Sequence, residues 1–239
     1  MQRFRWTVWT LGLWLSVGVA WPAATQDVQA EAPVFTEGDW FQRSFGDDKA
    51  NYSFIAIVEV NKSGIRMEET STGRVLFADP QFNLYREEWR ADELHYEPSL
   101  VRYSFPLSVG KVWKGSYTVR SELAGGDTGG PDEVAYRCEV DCIERVAVPA
   151  GEFDAFKTVC EYTQLEDRDQ ERESFWFAPT AGVPVKQIWE ERHPAYGWRV
   201  RAEATLAEYK HAHTVEFSVL AEAAESICDI PVPLNESPP

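Results

Sequence analysis

The chain has 239 residues, 23 of them lysine or arginine and 39 aspartate or glutamate, giving a net charge of −16 at pH 7. No basic cluster offsets this acidity, so neither a nucleic acid nor an anionic bilayer is expected as a partner. Hydrophobic residues make up 44 % of the chain and aromatic residues 13 %, enough for one sizeable core.

The first thirty residues, MQRFRWTVWTLGLWLSVGVAWPAATQDVQA, place Arg3 and Arg5 ahead of an apolar run from Trp6 to Trp21, followed by small residues. This order reads as a secretory signal peptide over residues 1–30, cut after Ala20, Ala24 or Ala30. The apolar run is too short for a comfortable membrane span, and no later stretch is apolar enough for one. The first cysteine is Cys138, so no lipid-modified N-terminal cysteine is expected. The expected product is periplasmic or secreted, soluble, and free of transmembrane segments. Without residues 1–30, which hold two arginines and one aspartate, its net charge is −17.

Residues 31–210 read as a single, mainly β domain. DWFQRSF, NYSFIAIVEV, GIRMEET, GRVLFA and ELHYE suggest strands separated by Gly, Asp, Asn and Pro. In WKGSYTVR, Trp113, Gly115, Tyr117 and Val119 alternate with Lys114, Ser116, Thr118 and Arg120, the pattern of a half-buried strand. AGGDTGGPDE, residues 124–133, reads as a loop. ESFWFAP is apolar on both faces, and VPVKQIWEE is a further strand. WRVRAEATL turns Trp198, Val200, Ala202, Ala204 and Leu206 inward, with a bulge expected near Leu206. Residues 211–239 are assigned a short C-terminal helix, from the spacing of Val215, Val219, Leu220 and Ala223, and a proline-rich tail. The expected architecture is a strongly curved antiparallel sheet, an open barrel or half-barrel, with a β-sandwich as the alternative.

In VAVPAGEF, Pro149 suits the first central position of a turn and Gly151 the left-handed position of a three-residue hairpin loop. Val148 then opposes Glu152, and Val140 opposes Cys160. Cys138, Cys142 and Cys160 share a face, with Cys160 diagonal to both others, so the register leaves its partner open. Four cysteines in an exported chain are expected to pair, with Cys228 as the fourth.

Three stretches, YSFPLSVGKVWKGSY from Tyr103, ERVAVPAGEFDAFKTVC from Glu144 and FWFAPTAGVPVKQI from Phe175, share an order and spacing. Together with Gly38-Asp39-Trp40 they resemble an uncharacterised family of bacterial exported proteins, itself similar to the open β-barrels of lipoprotein carriers. The resemblance spans residues 34–210. It implies an open barrel and a disulfide between Cys138 and Cys160, leaving Cys142 with Cys228. No catalytic residue of that family is known, and none is carried over.

No Gly-x-Ser-x-Gly elbow is present, and no histidine completes a tetrahedral set with Cys138, Cys142 and Cys160. No metal, cofactor or catalytic residue is therefore assigned. Tryptophans on strands carry the functional expectation: Trp113, Trp176 and Trp198 would line a concave sheet that binds an apolar or amphipathic, lipid-like ligand without catalysis. The alternatives are a protein–protein interaction or scaffolding module of the cell envelope and a carboxylate-dependent hydrolase.

Overall fold

Alternation along the chain produces fourteen strands in the computed structural model, which describes residues 28–46, 51–123, 129, 131–213 and 217. They are β1 (Gln29–Ala30), β2 (Trp40–Phe45), β3 (Tyr52–Asn61), β4 (Gly64–Glu69), β5 (Arg74–Ala78), β6 (Leu84–Trp89) and β7 (Asp92–Leu100). The remainder are β8 (Leu107–Ser108), β9 (Val112–Glu122), β10 (Asp132–Val148), β11 (Gly151–Gln164), β12 (Gln170–Ala178), β13 (Val183–His193) and β14 (Gly197–Lys210). Residues 1–27 of the expected signal peptide, and the expected C-terminal helix, lie outside the described residues.

Twelve of these strands form one antiparallel sheet, and it closes. β14 pairs with β2, and β9 pairs with both β7 and β10, so the expected open barrel is a closed one and the sandwich alternative does not apply. Closure satisfies both edges that an open sheet would leave bare. Neighbours in sequence are neighbours in the barrel, except where residues 101–111 leave the wall between β7 and β9. That segment carries the FPLSVGK motif. Its Leu107–Ser108 pairs with Gln29–Ala30, and its Tyr103 is held by Asn83, which donates to Tyr103 O and accepts from Tyr103 N.

Eight strands enclose a lumen that side chains just fill; twelve enclose more. Here the surplus is partly taken up by the 101–111 segment. Tyr103 packs against Phe175 and Phe177 at ring-centroid distances of 5.0 and 5.8 Å, and both are inward residues of β12. Ile55, Ile57, Met67, Leu76, Val185 and Leu206 fill the adjoining region. At one end of the barrel, Asp39 of the Gly-Asp-Trp motif receives His211 Nδ1 at 3.0 Å and the backbone N–H groups of Thr36 and Ala212 at 2.9 and 2.8 Å. Burial would raise its pKa, but these hydrogen bonds outweigh burial and hold it below the ordinary value.

Two bulges correct the expected register. The hairpin loop has two residues, Pro149 and Ala150, so Val148 opposes Gly151 rather than Glu152. An extra residue, Asp141, then shifts β10 once more and sets Cys138 directly opposite Cys160, where they form a buried disulfide. The same bulge turns Cys142 to the other face. Cys142 is also disulfide-bonded, and its expected partner Cys228 lies outside the described residues. On β14, Trp189 opposes Ala202 but Glu190 opposes Val200, so Arg201 is the extra residue. Trp198 and Val200 therefore face outward, not inward, and Val200 is 62 % exposed. The bulge expected near Leu206 is present between Leu206 and Glu208.

Candidate ligand-binding lumen

Where apolar side chains give way to tyrosines and charged groups, the lumen is open. A cavity of about 460 Å³ is lined by Tyr96 and Leu100 of β7, Tyr117 of β9, Tyr162 of β11, Glu171 and Glu173 of β12, Trp189 of β13 and Ala202 of β14, with Arg102 at the start of the inserted segment. Period two explains the convergence. Tyr162 opposes Glu171, and Glu173 opposes Trp189, which opposes Ala202, so these strands send one face inward together. Ala202 contributes only a methyl, which leaves the space that Trp189 borders.

At the cavity floor, Arg102 Nε lies 3.1 Å from Glu173 Oε2, and Glu173 is 3 % exposed. Burial would lower the pKa of Arg102, but Glu173 overrides it and the guanidinium is held above its ordinary value. Gln187 Nε2 donates to the other Glu173 oxygen at 3.2 Å, and Gln187 Oε1 accepts from Arg43 at 2.5 Å. The resulting chain runs Arg43, Gln187, Glu173, Arg102 across the lumen. Tyr162 reaches Glu173 Oε2 at 3.4 Å, and Tyr96 donates to Glu87 at 2.9 Å. Burial, first of all, pushes the phenols of Tyr96, Tyr117 and Tyr162 above their ordinary pKa. All three therefore stay protonated, and Tyr96 and Tyr162 spend that proton on Glu87 and Glu173. The mouth is ringed by ion pairs, half-buried Arg172 with Glu190 at 2.7 Å and exposed Arg201 with Glu171 at 3.4 Å.

The three tryptophans expected to bind ligand do not line this cavity and do not come together. Trp113 faces inward opposite Cys138, with its indole N–H on Val101 O at 3.1 Å. Trp176 lies on the face of β12 opposite Phe175 and Phe177, buried at 6 % exposure in an apolar cluster with Ala155 and Ala178, where its indole donates to Glu144 and Lys186 Nζ sits 5.1 Å from its ring. Trp198 is outward beneath the Arg172 guanidinium at 4.6 Å. Of the cavity residues, only Tyr117 and Ala202 belong to a face read as inward from the sequence. Arg43, Arg102, Glu173 and Gln187 carry no such signal, because each resembles a solvent-facing residue of an acidic protein. Among the described residues no group of three His, Cys, Asp or Glu side chains is placed to hold a metal ion.

Fold and site together define a closed antiparallel barrel with a partly polar lumen. No family model matches the chain, and no curated protein is similar to it. Among solved structures it is similar to the hypothetical lipoprotein YmcC of Escherichia coli, at 10 % identity and a TM-score of 0.48, over 71 % of this chain and 83 % of that one. A protein from Bacteroides fragilis, described as exported and of YmcC-like fold, is 15 % identical with a TM-score of 0.48, over 76 % and 99 % of the two chains. A third, described as a lipoprotein of Parabacteroides distasonis, is 15 % identical with a TM-score of 0.43, over 77 % and 100 %. Among the described residues no helix is long and apolar enough to cross a membrane.

Proposed function

We propose that this chain is an exported, non-catalytic binding protein that holds an amphipathic molecule in the polar half of its barrel lumen. The observation that carries this is the cavity of about 460 Å³, large enough for a small ligand, with aromatic walls and a few convergent polar groups. Its innermost carboxylates are held, Glu173 by Arg102 and Gln187 and Glu87 by Arg74 and Tyr96, which suits holding a molecule rather than transforming it. The inward aromatic that borders the space is Trp189, so the ligand expectation moves from Trp113, Trp176 and Trp198 to Trp189 and the three tyrosines.

Native mass spectrometry of protein purified from an exporting cell without detergent, followed by solvent extraction, tests this reading. An adduct of lipid-like mass is expected, reduced in Trp189→Ala and retained in Trp176→Ala, whose ring lies on the face of β12 turned away from the cavity. An adduct lost from Trp176→Ala and kept by Trp189→Ala would place the site away from the cavity and contradict the reading.

A further inference from the structure

The arginines that face the lumen are not equally satisfied. Arg74 pairs with Glu87, and Arg102 pairs with Glu173. Arg43 follows Phe41 on the inward face of β2 and, among the described residues, has no carboxylate in ion-pair range. Its one side-chain hydrogen bond goes to the neutral amide oxygen of Gln187, and its Nε is buried without a partner. Arg102 Nε, although close to Glu173, is likewise not aligned to donate. Burial depresses the pKa of Arg43; Glu69 opposes this, and the nearby Arg102 adds to it. Two cations thus share a low-dielectric compartment with unused donors, an arrangement that an anion between them relieves.

Both guanidiniums border a recess of about 60 Å³ whose remaining wall is mostly apolar, with Ile55, Met67 and Leu84 among it and Gln187 and Tyr103 as its other polar members. Water occupies about 30 Å³ per molecule in the liquid, so the recess has room for a group the size of a carboxylate. Arg102 also borders the larger cavity, so the recess and the cavity meet at its side chain. We propose that the ligand is a long-chain carboxylate, its head received between Arg43 and Arg102 in the recess and its chain lying in the tyrosine-lined cavity. This rests on the lumen being the binding site. Arg43 then gains the charged acceptor for which Gln187 Oε1 now stands in, and the apolar walls exclude water from the pair.

Titration calorimetry of the full mature chain with dodecanoate and with dodecanol tests the head and the lumen separately. Wild-type protein is expected to bind dodecanoate roughly tenfold or more tighter than dodecanol, as a charge-assisted pair in a dry site gives. Arg43→Gln is expected to remove that preference while leaving dodecanol binding in place, and Arg43→Lys to keep part of it. Equal wild-type affinity for the two probes overturns the carboxylate assignment and leaves the lumen reading standing; binding of neither overturns both. Should Arg43→Gln fail to fold, the wild-type comparison still decides.

Discussion

Strands β3, β4 and β5 turn Ile55, Ile57, Met67 and Leu76 into the lumen, each no more than 8 % exposed, and nothing but apolar contact holds them there. Across the barrel, β7, β9, β11 and β12 turn in Tyr96, Tyr117, Tyr162 and Glu173 from the same pleat and hydrogen-bonding pattern. The first half is packed; the second is hollow. Closing twelve strands creates more interior than the chain fills, and the inward residue types decide which side of the surplus is sealed and which stays wet.

Stability separates the two halves most strongly. Ile57→Ala, in the packed half, is expected to cost about 2 to 5 kcal/mol, because it opens a void among residues that cannot collapse. Trp189→Ala, beside an existing cavity, is expected to cost less than half as much while weakening ligand retention. Urea denaturation of the two variants checks the ordering, and equal losses would mean that both halves are packed alike. Next in size is the staple between the adjacent strands β10 and β11. Replacing Cys138 and Cys160 by serine opens a linkage with a sequence separation of 22 and should cost about 3 kcal/mol by the same assay.

A smaller, pH-dependent effect belongs to the barrel end. The folded-state pKa of Asp39 lies below its unfolded value of 3.8, so its contribution is present above that pH and is lost as pH falls through the folded value. Asp39→Asn is expected to cost about 1 kcal/mol at pH 7 and to flatten the loss of stability below about pH 4. An unchanged acid limb in equilibrium unfolding would show that the Asp39–His211 clasp contributes nothing. The smallest effect concerns processing. Gln29–Ala30 pairs with Leu107–Ser108, so cutting after Ala30 would strip a strand from the inserted segment; intact-mass measurement of exported protein is expected to show a start upstream of Gln29.

The packed half was legible in the sequence and the hollow half largely was not, for one physical reason. Apolar residues mark strands whose inner face is dry, and they identified NYSFIAIVEV as a strand, though not that Ile55 and Ile57 are its inward face. Where the inner face is polar a strand looks solvent-exposed. LYREEW therefore gave no strand signal, although it forms β6 and points Glu87 at Arg74 and Tyr96. Bulges are the second blind spot. Single extra residues, Asp141 and Arg201, reverse the facing of everything beyond them: the first brings Cys138 opposite Cys160, and the second sends Trp198 out of the lumen. The YSFPLSVGKVW stretch marked the inserted segment without revealing that Arg102 and Tyr103, at its start, reach across the lumen.

Thiol labelling tests most directly whether one half of the barrel is open and the other sealed. Ala202→Cys places a thiol at the cavity wall, and Ala78→Cys, on β5 two residues beyond Leu76, places one at a 0 % exposed position of the packed cluster. With a small maleimide under non-reducing conditions, Ala202→Cys is expected to label readily and to be protected by dodecanoate or dodecanol, while Ala78→Cys stays unreactive in the folded protein. Equal reactivity at the two positions, or labelling of Ala202→Cys that neither probe slows, would contradict the account.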